Sequence, residues 1–174
     1  MEFLRFNAPD ADALAESIVE TRLKLEQACA CGDALAAVEH AADLGSMLTT
    51  ARREGEALVL MQKLLGDVLS LPAVEPIGWF WNAYATALQY AGQTTEAHGI
   101  FAKALDLSRT HHWTRLQSFV LQHWGRSLVE QGAFDQAQVC FVEALNIRVK
   151  LNDPRQASSR RALEALALLR DPSG

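Results

Sequence analysis

Apolar positions in this chain recur at two distances. Within segments they fall three and four residues apart, the spacing that lines one face of an α-helix. Between segments they recur at forty: Trp81, Tyr84, Ala85, Leu88, Gly92, Ala97, Phe101 and Ala104 return as Leu121, Trp124, Gly125, Leu128, Gly132, Ala137, Phe141 and Ala144. A fixed period of this size marks a repeat array, in which one unit cannot bury its own apolar face and stacks on a neighbour.

The pattern predicts two clear hairpins over 77–150. The first has helices over 77–91 and 94–109 joined at Gly92-Gln93, and the second has helices over 114–131 and 134–150 joined at Gly132-Ala133. Asn152-Asp153-Pro154 then starts a terminal capping helix within 153–170. Asp153 is its cap and Pro154 its first residue, with Ala157, Leu163, Leu166 and Leu169 facing inward and Arg155, Arg160, Arg161, Glu164 and Arg170 in water. Before the hairpins, residues 1–7 read as a tail or docking strand, and Pro9-Asp10 opens a helix reaching about residue 30 with Leu14, Ile18, Leu25 and Ala28 on one face. Gly32-Asp33 supplies a left-handed stop and a new cap.

Counted from that glycine, Ala37, Ala41 and Leu44 fall where Ala97, Phe101 and Ala104 fall, so residues 8–71 read as degenerate N-terminal helices holding a decayed copy. The stripe Leu48, Ala51, Leu58, Met61, Leu65, Val68 and Leu69 is interrupted by Arg52-Arg53-Glu54-Gly55, which predicts a helix boundary near Arg53. Pro72 and Pro76 end helical structure, since neither carries a backbone donor and each biases its predecessor away from the helix. The sum is a single all-α domain over 1–174, with seven or eight helices.

Composition narrows the function. The chain is 49% hydrophobic with only five Pro and two Tyr, which suits packed helices. Its formal charge of −5 opposes a non-specific grip on nucleic acid or anionic lipid, both of which need a cationic face. No apolar run reaches membrane-spanning length, and Met1-Glu2-Phe3-Leu4-Arg5 lacks the basic and apolar regions of a secretory signal. Cys29, Cys31 and Cys140 are odd in number, which fits unpaired thiols in a reducing, cytoplasmic setting. The small cysteine side chains are expected to be buried or half-buried.

The two hairpins resemble the tetratricopeptide repeat, a helix-turn-helix unit with an aromatic-x-x-bulky-small signature in its first helix and Ala-x-x-x-aromatic-x-x-Ala in its second. Trp81 with Tyr84-Ala85 and Ala97 with Phe101 and Ala104 carry that likeness, as do their forty-residue counterparts. The family period is about 34, so this chain is similar to the long-helix variants. The resemblance implies a right-handed superhelical array of antiparallel hairpins. It also implies a concave groove, lined by the first helix of each hairpin, that accepts a peptide or a protein.

Carried over by position, that groove holds Trp79, Asn82, Ala83, Thr86, Gln89 and Tyr90, then Phe119, Gln122, His123, Arg126, Val129 and Glu130. One branch of the family clamps a chaperone's C-terminal dicarboxylate with lysines and asparagines. Asn82 stands where that clamp needs a lysine and Thr86 where it needs an asparagine, so the clamp is rejected. Trp79 is outside the repeat core positions and reads as a partner anchor.

Catalytic and metal signatures are weak. His111-His112-Trp113 with His123 lacks the shared-face spacing of a chelate, and Cys29-Ala30-Cys31 lacks the two-residue spacer of a redox motif. There is no Gly-x-Ser-x-Gly elbow, phosphate-cradling loop or His-Glu-x-x-His pair. The expectation is a non-enzymatic module without cofactor or metal that binds a protein or peptide: an adaptor, a chaperone, or an immunity or regulatory protein. The alternative is a self-assembling structural unit, including a homodimer, whose groove is filled by its own tail or by another copy.

Overall fold

The computed structural model describes residues 2–171, so Met1 of the expected tail lies outside the described residues. The fold is all-α. Among the described residues there are nine helices: α1 (Ala11–Cys31), α2 (Ala34–Thr50), α3 (Glu54–Gln62), α4 (Leu65–Ser70), α5 (Glu75–Tyr90), α6 (Thr94–Thr110), α7 (Thr114–Glu130), α8 (Phe134–Lys150) and α9 (Gln156–Arg170). The boundary expected near Arg53 is there. The helix beyond it breaks again at Lys63–Leu64, where Leu64 stands in place of the fully buried Ala104 and Ala144 of the later copies. A leucine does not fit the close approach that alanine allows.

Six of the helix ends are closed by the same device. Gly32, Arg52, Gly92, His112, Gly132 and Asn152 all have φ between 50° and 81°. At each, the following N–H reaches five residues back: Asp33 to Ala28, Arg53 to Leu48, Gln93 to Leu88, Trp113 to Ser108, Ala133 to Leu128 and Asp153 to Arg148, at 2.8–3.0 Å. The left-handed residue's own N–H bonds three residues back, at 3.0–3.3 Å. These are Schellman closures, which satisfy carbonyls that a helix end would leave without partners.

Neighbouring stops in each series are twenty residues apart, from Gly32 to Arg52 and again from Gly92 through His112 and Gly132 to Asn152. The position missing between the two series is Pro72, whose ring holds φ near −65° and forbids the left-handed region. The chain runs on from Leu71 in extended backbone instead (φ −78°, ψ 152°).

This series corrects the expected N-terminal register. Arg52 does the work of a turn glycine, so counting from Gly32 misplaces the first copy by half a repeat. In the structure α2 corresponds to α5 and α7, at forty-residue steps. Gly45, Ala85 and Gly125 share one buried position, as do Leu48, Leu88 and Leu128, then Ala57, Ala97 and Ala137, then Met61, Phe101 and Phe141.

The contacts repeat as well. A Cβ on Gly45 would lie 2.5 Å from the Met61 sulfur, and a Cβ on Gly125 would lie 2.5 Å from the Phe141 ring. In both copies the absence of a side chain lets a large one sixteen residues later lie against the backbone. In α1, Thr21 takes the aromatic's place and donates to the Met47 sulfur at 3.7 Å.

The chain divides into two compact units, one of Phe6–Ala104 and one of Met1–Arg5 with Leu105–Gly174. In the first, α2 packs on α1, α3 and α5, and α3 packs on α5. Its core centres on Val38, Leu44, Leu48, Met61, Phe80 and Leu88, each 0% exposed. In the second, α8 packs between α7 and α9, around Leu116, Val120, Leu121, Phe141 and Leu166.

The inward face of α9 differs from the one expected. Ser159, Ala162 and Leu166 are buried, whereas Ala157 and Leu169 are exposed. The cause is the polar cluster around Arg148 described below, which draws Ser159 inward.

The turn positions give a stability prediction. A Cβ at Gly132 meets no atom within 4 Å, so an alanine there carries only the cost of the left-handed backbone. Gly132→Ala should lower stability by roughly 1 kcal/mol, and His112→Gly should raise it by roughly 0.5–1 kcal/mol. Urea unfolding of both variants checks this, and equal midpoints would mean that the stops do not carry the assigned strain.

Candidate partner-binding faces

The twelve groove residues lie on α5 and α7, and two of them, Ala83 and Val129, are buried at 3% and 4%. On α7, Phe119, His123, Arg126 and Glu130 are spaced by four, three and four residues, which puts them in one stripe. All four are half-buried. Gln122 lies beside the stripe and is 2% exposed. On α5, Trp79 and Tyr90 are half-buried, whereas Asn82, Thr86 and Gln89 are buried at 6%, 8% and 4%.

The four buried polar residues do not offer themselves to a partner, contrary to the sequence expectation. The reason is the surroundings of α5. Every residue from Phe80 to Gln89 is buried, so this helix has no open face of the kind an amphipathic surface helix keeps. Thr86 spends its hydroxyl on the Asn82 carbonyl at 2.8 Å, and the Asn82 Oδ1 is buried without a hydrogen-bond partner. Phe80, which the period did not single out, sits edge-on to Trp81 at 5.6 Å and 6.2 Å from Tyr84. The Lys103 Nζ lies 3.7 Å from the Trp81 ring. Trp79 keeps its indole N–H on Glu75 at 3.2 Å.

Behind the α7 stripe lies a polar cluster that the sequence reading missed. Arg148, 2% exposed in the last turn of α8, donates through one Nη to the Gln122 Oε1 at 2.9 Å, Ser158 at 3.0 Å, Ser159 at 2.8 Å and the Arg155 carbonyl at 3.3 Å. Ser159 also donates to Gln122 at 2.6 Å. One guanidinium thus ties α7, α8 and the first turn of α9. Burial lowers its pKa to about 10, so it stays charged at neutral pH. Ala28, Val68 and Ser108 fill the same register position in the earlier helices. An arginine among such small or apolar neighbours was the available signal.

Phe119 lies under two guanidiniums, with Arg148 at 5.5 Å and Arg155 at 5.0 Å from its ring centre. That is cation–π geometry. The next residue of the stripe, His123, has a buried Nδ1 without a hydrogen-bond partner. Its pKa falls from 6.5 to about 3, mainly by burial, with Arg126 and Arg148 adding repulsion.

Glu130 ends the stripe, and the N-terminal segment meets it there. The Phe3 N–H donates to the Glu130 Oε1 at 2.8 Å, and the Phe3 ring stacks on Phe141 at 6.1 Å.

Other candidates are placed without ambiguity. Trp113 is half-buried and stacks on His111 at 4.8 Å in the turn before α7. Cys29 and Cys31 are exposed rather than buried, because they sit in the last turn of α1, whose inward face is Ile18, Thr21, Leu25 and Ala28. Burial pushes the Cys140 thiol up to about 11. Among the described residues no cluster of three or more His, Cys, Asp or Glu side chains is gathered to hold a metal ion, and no helix is long and apolar enough to cross a membrane.

No family model and no curated protein sequence matches the chain. Among solved structures it is similar to BtubC (BKLC) from P. vanneervenii, with a TM-score of 0.74 and 17% identity over 91% of this chain and 67% of that one. At that identity the likeness is one of fold alone, and it agrees with the all-helical architecture.

Two measurements test the cluster. Gln122→Leu removes one of the acceptors of the buried Arg148 guanidinium and the acceptor of the Ser159 hydroxyl and should destabilise by roughly 2–4 kcal/mol, much of it recovered in Gln122→Leu/Arg148→Leu. A single-variant loss below about 1 kcal/mol would remove the cluster as the tie on α9. For His123 the folded pKa lies below the unfolded one. Its contribution is therefore fully present above about pH 6.5 and is lost as pH falls toward 3, by at most about 1.4 kcal/mol per pH unit. His123→Gln should flatten that part of the stability profile between pH 6.5 and 4, and an unchanged slope would show that the ring titrates normally.

Proposed function

We propose that the chain is a non-enzymatic protein-interaction module of the tetratricopeptide-repeat type, taking a peptide or protein partner on the half-open faces of its repeat-leading helices. The observation that carries this reading is the α7 stripe. Phe119, His123, Arg126 and Glu130 combine an aromatic surface, a cation and a backbone acceptor on one helix face without closing it from water. Aromatic and arginine side chains of this kind are the usual anchors of protein interfaces. On α5 the same role falls to Trp79 and Tyr90, the two candidates left half-open there. Gln122 acts from within, as the acceptor that ties α7 to α8 and α9, while Asn82, Thr86 and Gln89 are enclosed.

A self-assembling structural unit is the second reading. It is favoured by one contact, the hold of Glu130 on this chain's own N-terminal segment.

A random peptide library selected on the purified chain separates the two. Selected peptides should lose at least tenfold in affinity on Phe119→Ala/Arg126→Ala or on Trp79→Ala/Tyr90→Ala, with melting temperature unchanged. Affinity within about twofold for both double variants, a difference of roughly 0.4 kcal/mol, would remove these faces as the site. A light-scattering mass that rises with concentration, with no peptide selected, would favour self-assembly.

A further inference from the structure

The N-terminal segment makes a contact that its length and lack of regular structure do not require. Phe3 is 5% exposed, yet it belongs to no helix. Two neighbouring helices of one hairpin hold it by different means. Phe141 of α8 offers a ring face at 6.1 Å and 29°, and Glu130 at the end of α7 takes the backbone N–H at 2.8 Å. A side-chain seat that selects an aromatic, beside an acceptor that fixes the main chain, is the division of labour by which grooves read extended peptides.

The occupant is held under strain. Leu4, next to Phe3, has φ 47°, a region in which a leucine Cβ crowds the following carbonyl. Two residues further on, Phe6 is 60% exposed, so of the two phenylalanines only Phe3 is seated. A free peptide in the same seat need not adopt the strained backbone of Leu4.

We infer that the Phe3 seat on the α7–α8 hairpin is a recognition site for an extended peptide bearing an aromatic side chain. The chain's own residues 2–5 are its resident and displaceable occupant. This rests on the proposed interaction role and names the chemistry of the partner. The segment to be recognised presents a phenylalanine-like ring with its own backbone N–H free for Glu130. Access is set by competition with the tethered copy, whose effective concentration the short connection keeps high.

The probe is an acetylated, fluorescein-labelled peptide of residues 2–8 (Glu-Phe-Leu-Arg-Phe-Asn-Ala), titrated by anisotropy into the full chain. Phe3→Ala, with its seat vacated, should bind it at least tenfold more tightly than wild type does. Glu130→Ala added to that variant should cost about fivefold, and the same peptide with alanine for its first phenylalanine should not bind. No saturable binding to a folded Phe3→Ala chain would overturn the inference, as would equal binding to wild type and Phe3→Ala, which would place the peptide elsewhere.

A second readout needs no destabilised variant. With 4-fluorophenylalanine at position 3 of the otherwise wild-type chain, saturating peptide should move the fluorine resonance toward that of an exposed ring. An unmoved resonance counts against displacement. The two readings fail separately. Peptide binding that survives Phe119→Ala/Arg126→Ala within about twofold keeps the seat and removes the wider face, whereas library peptides that bind through that face with an empty Phe3 seat remove only the seat.

Discussion

The left-handed helix stop is the constraint on which the rest of this structure depends. A helix that ends in a Schellman closure reverses within one or two residues, so the next helix starts at a set distance and in a set rotation. Repeating the stop every twenty residues makes each helix about the same length and brings equivalent faces back at forty. The pairing of Gly125 with Phe141, and of Gly45 with Met61, follows from that register. A shift of one residue would turn each small residue away from the large side chain it admits. Where Pro72 forbids the stop, the regularity lapses, and the neighbouring second helix is split into α3 and α4.

Glycine is not the only residue at these stops. Arg52, His112 and Asn152 occupy the left-handed region beside Gly32, Gly92 and Gly132. Asparagine tolerates that region through its short polar side chain, while arginine and histidine carry the steric cost. The closure is held there by its two backbone hydrogen bonds and by the packing of the helices on either side. Reading stops from glycine alone therefore finds half of them.

Two of the repeat-leading helices, α5 and α7, show how far environment departs from pattern. Both α5 and α7 present polar residues at equivalent positions, Asn82 and Gln122 among them, and a helix wheel alone assigns those to solvent. In the fold α5 is enclosed over nearly its whole length, and Gln122 is the acceptor of a buried guanidinium. What remains half-open on α7 is a stripe backed by charge. Arg148 and Arg155 lie over Phe119, and burial, with added repulsion from Arg126 and Arg148, keeps the His123 ring neutral. The polar core behind the stripe thus sets the electrostatics of the surface in front of it.

The sequence by itself determined what local geometry controls. The helical class, the two hairpins over 77–150 to within about two residues at each helix end, and the stops at Gly32, Gly92 and Gly132 follow from three- and four-residue spacing and from glycine's freedom at positive φ. The first half of each aromatic and small-residue pairing was legible too, since Ala97, Phe101, Ala137 and Phe141 announce a core by period alone. Tertiary structure decided the rest. Which polar side chains of α5 are enclosed depends on neighbours far along the chain. The seat of Phe3 joins residues 127 positions apart in the Glu130 hydrogen bond. The place of Arg148 is fixed by two serines and a glutamine on other helices, and the N-terminal register hangs on Arg52 adopting a backbone that its residue type disfavours. Each of these is set by long-range packing that outweighs local preference, and a periodic pattern carries no record of it.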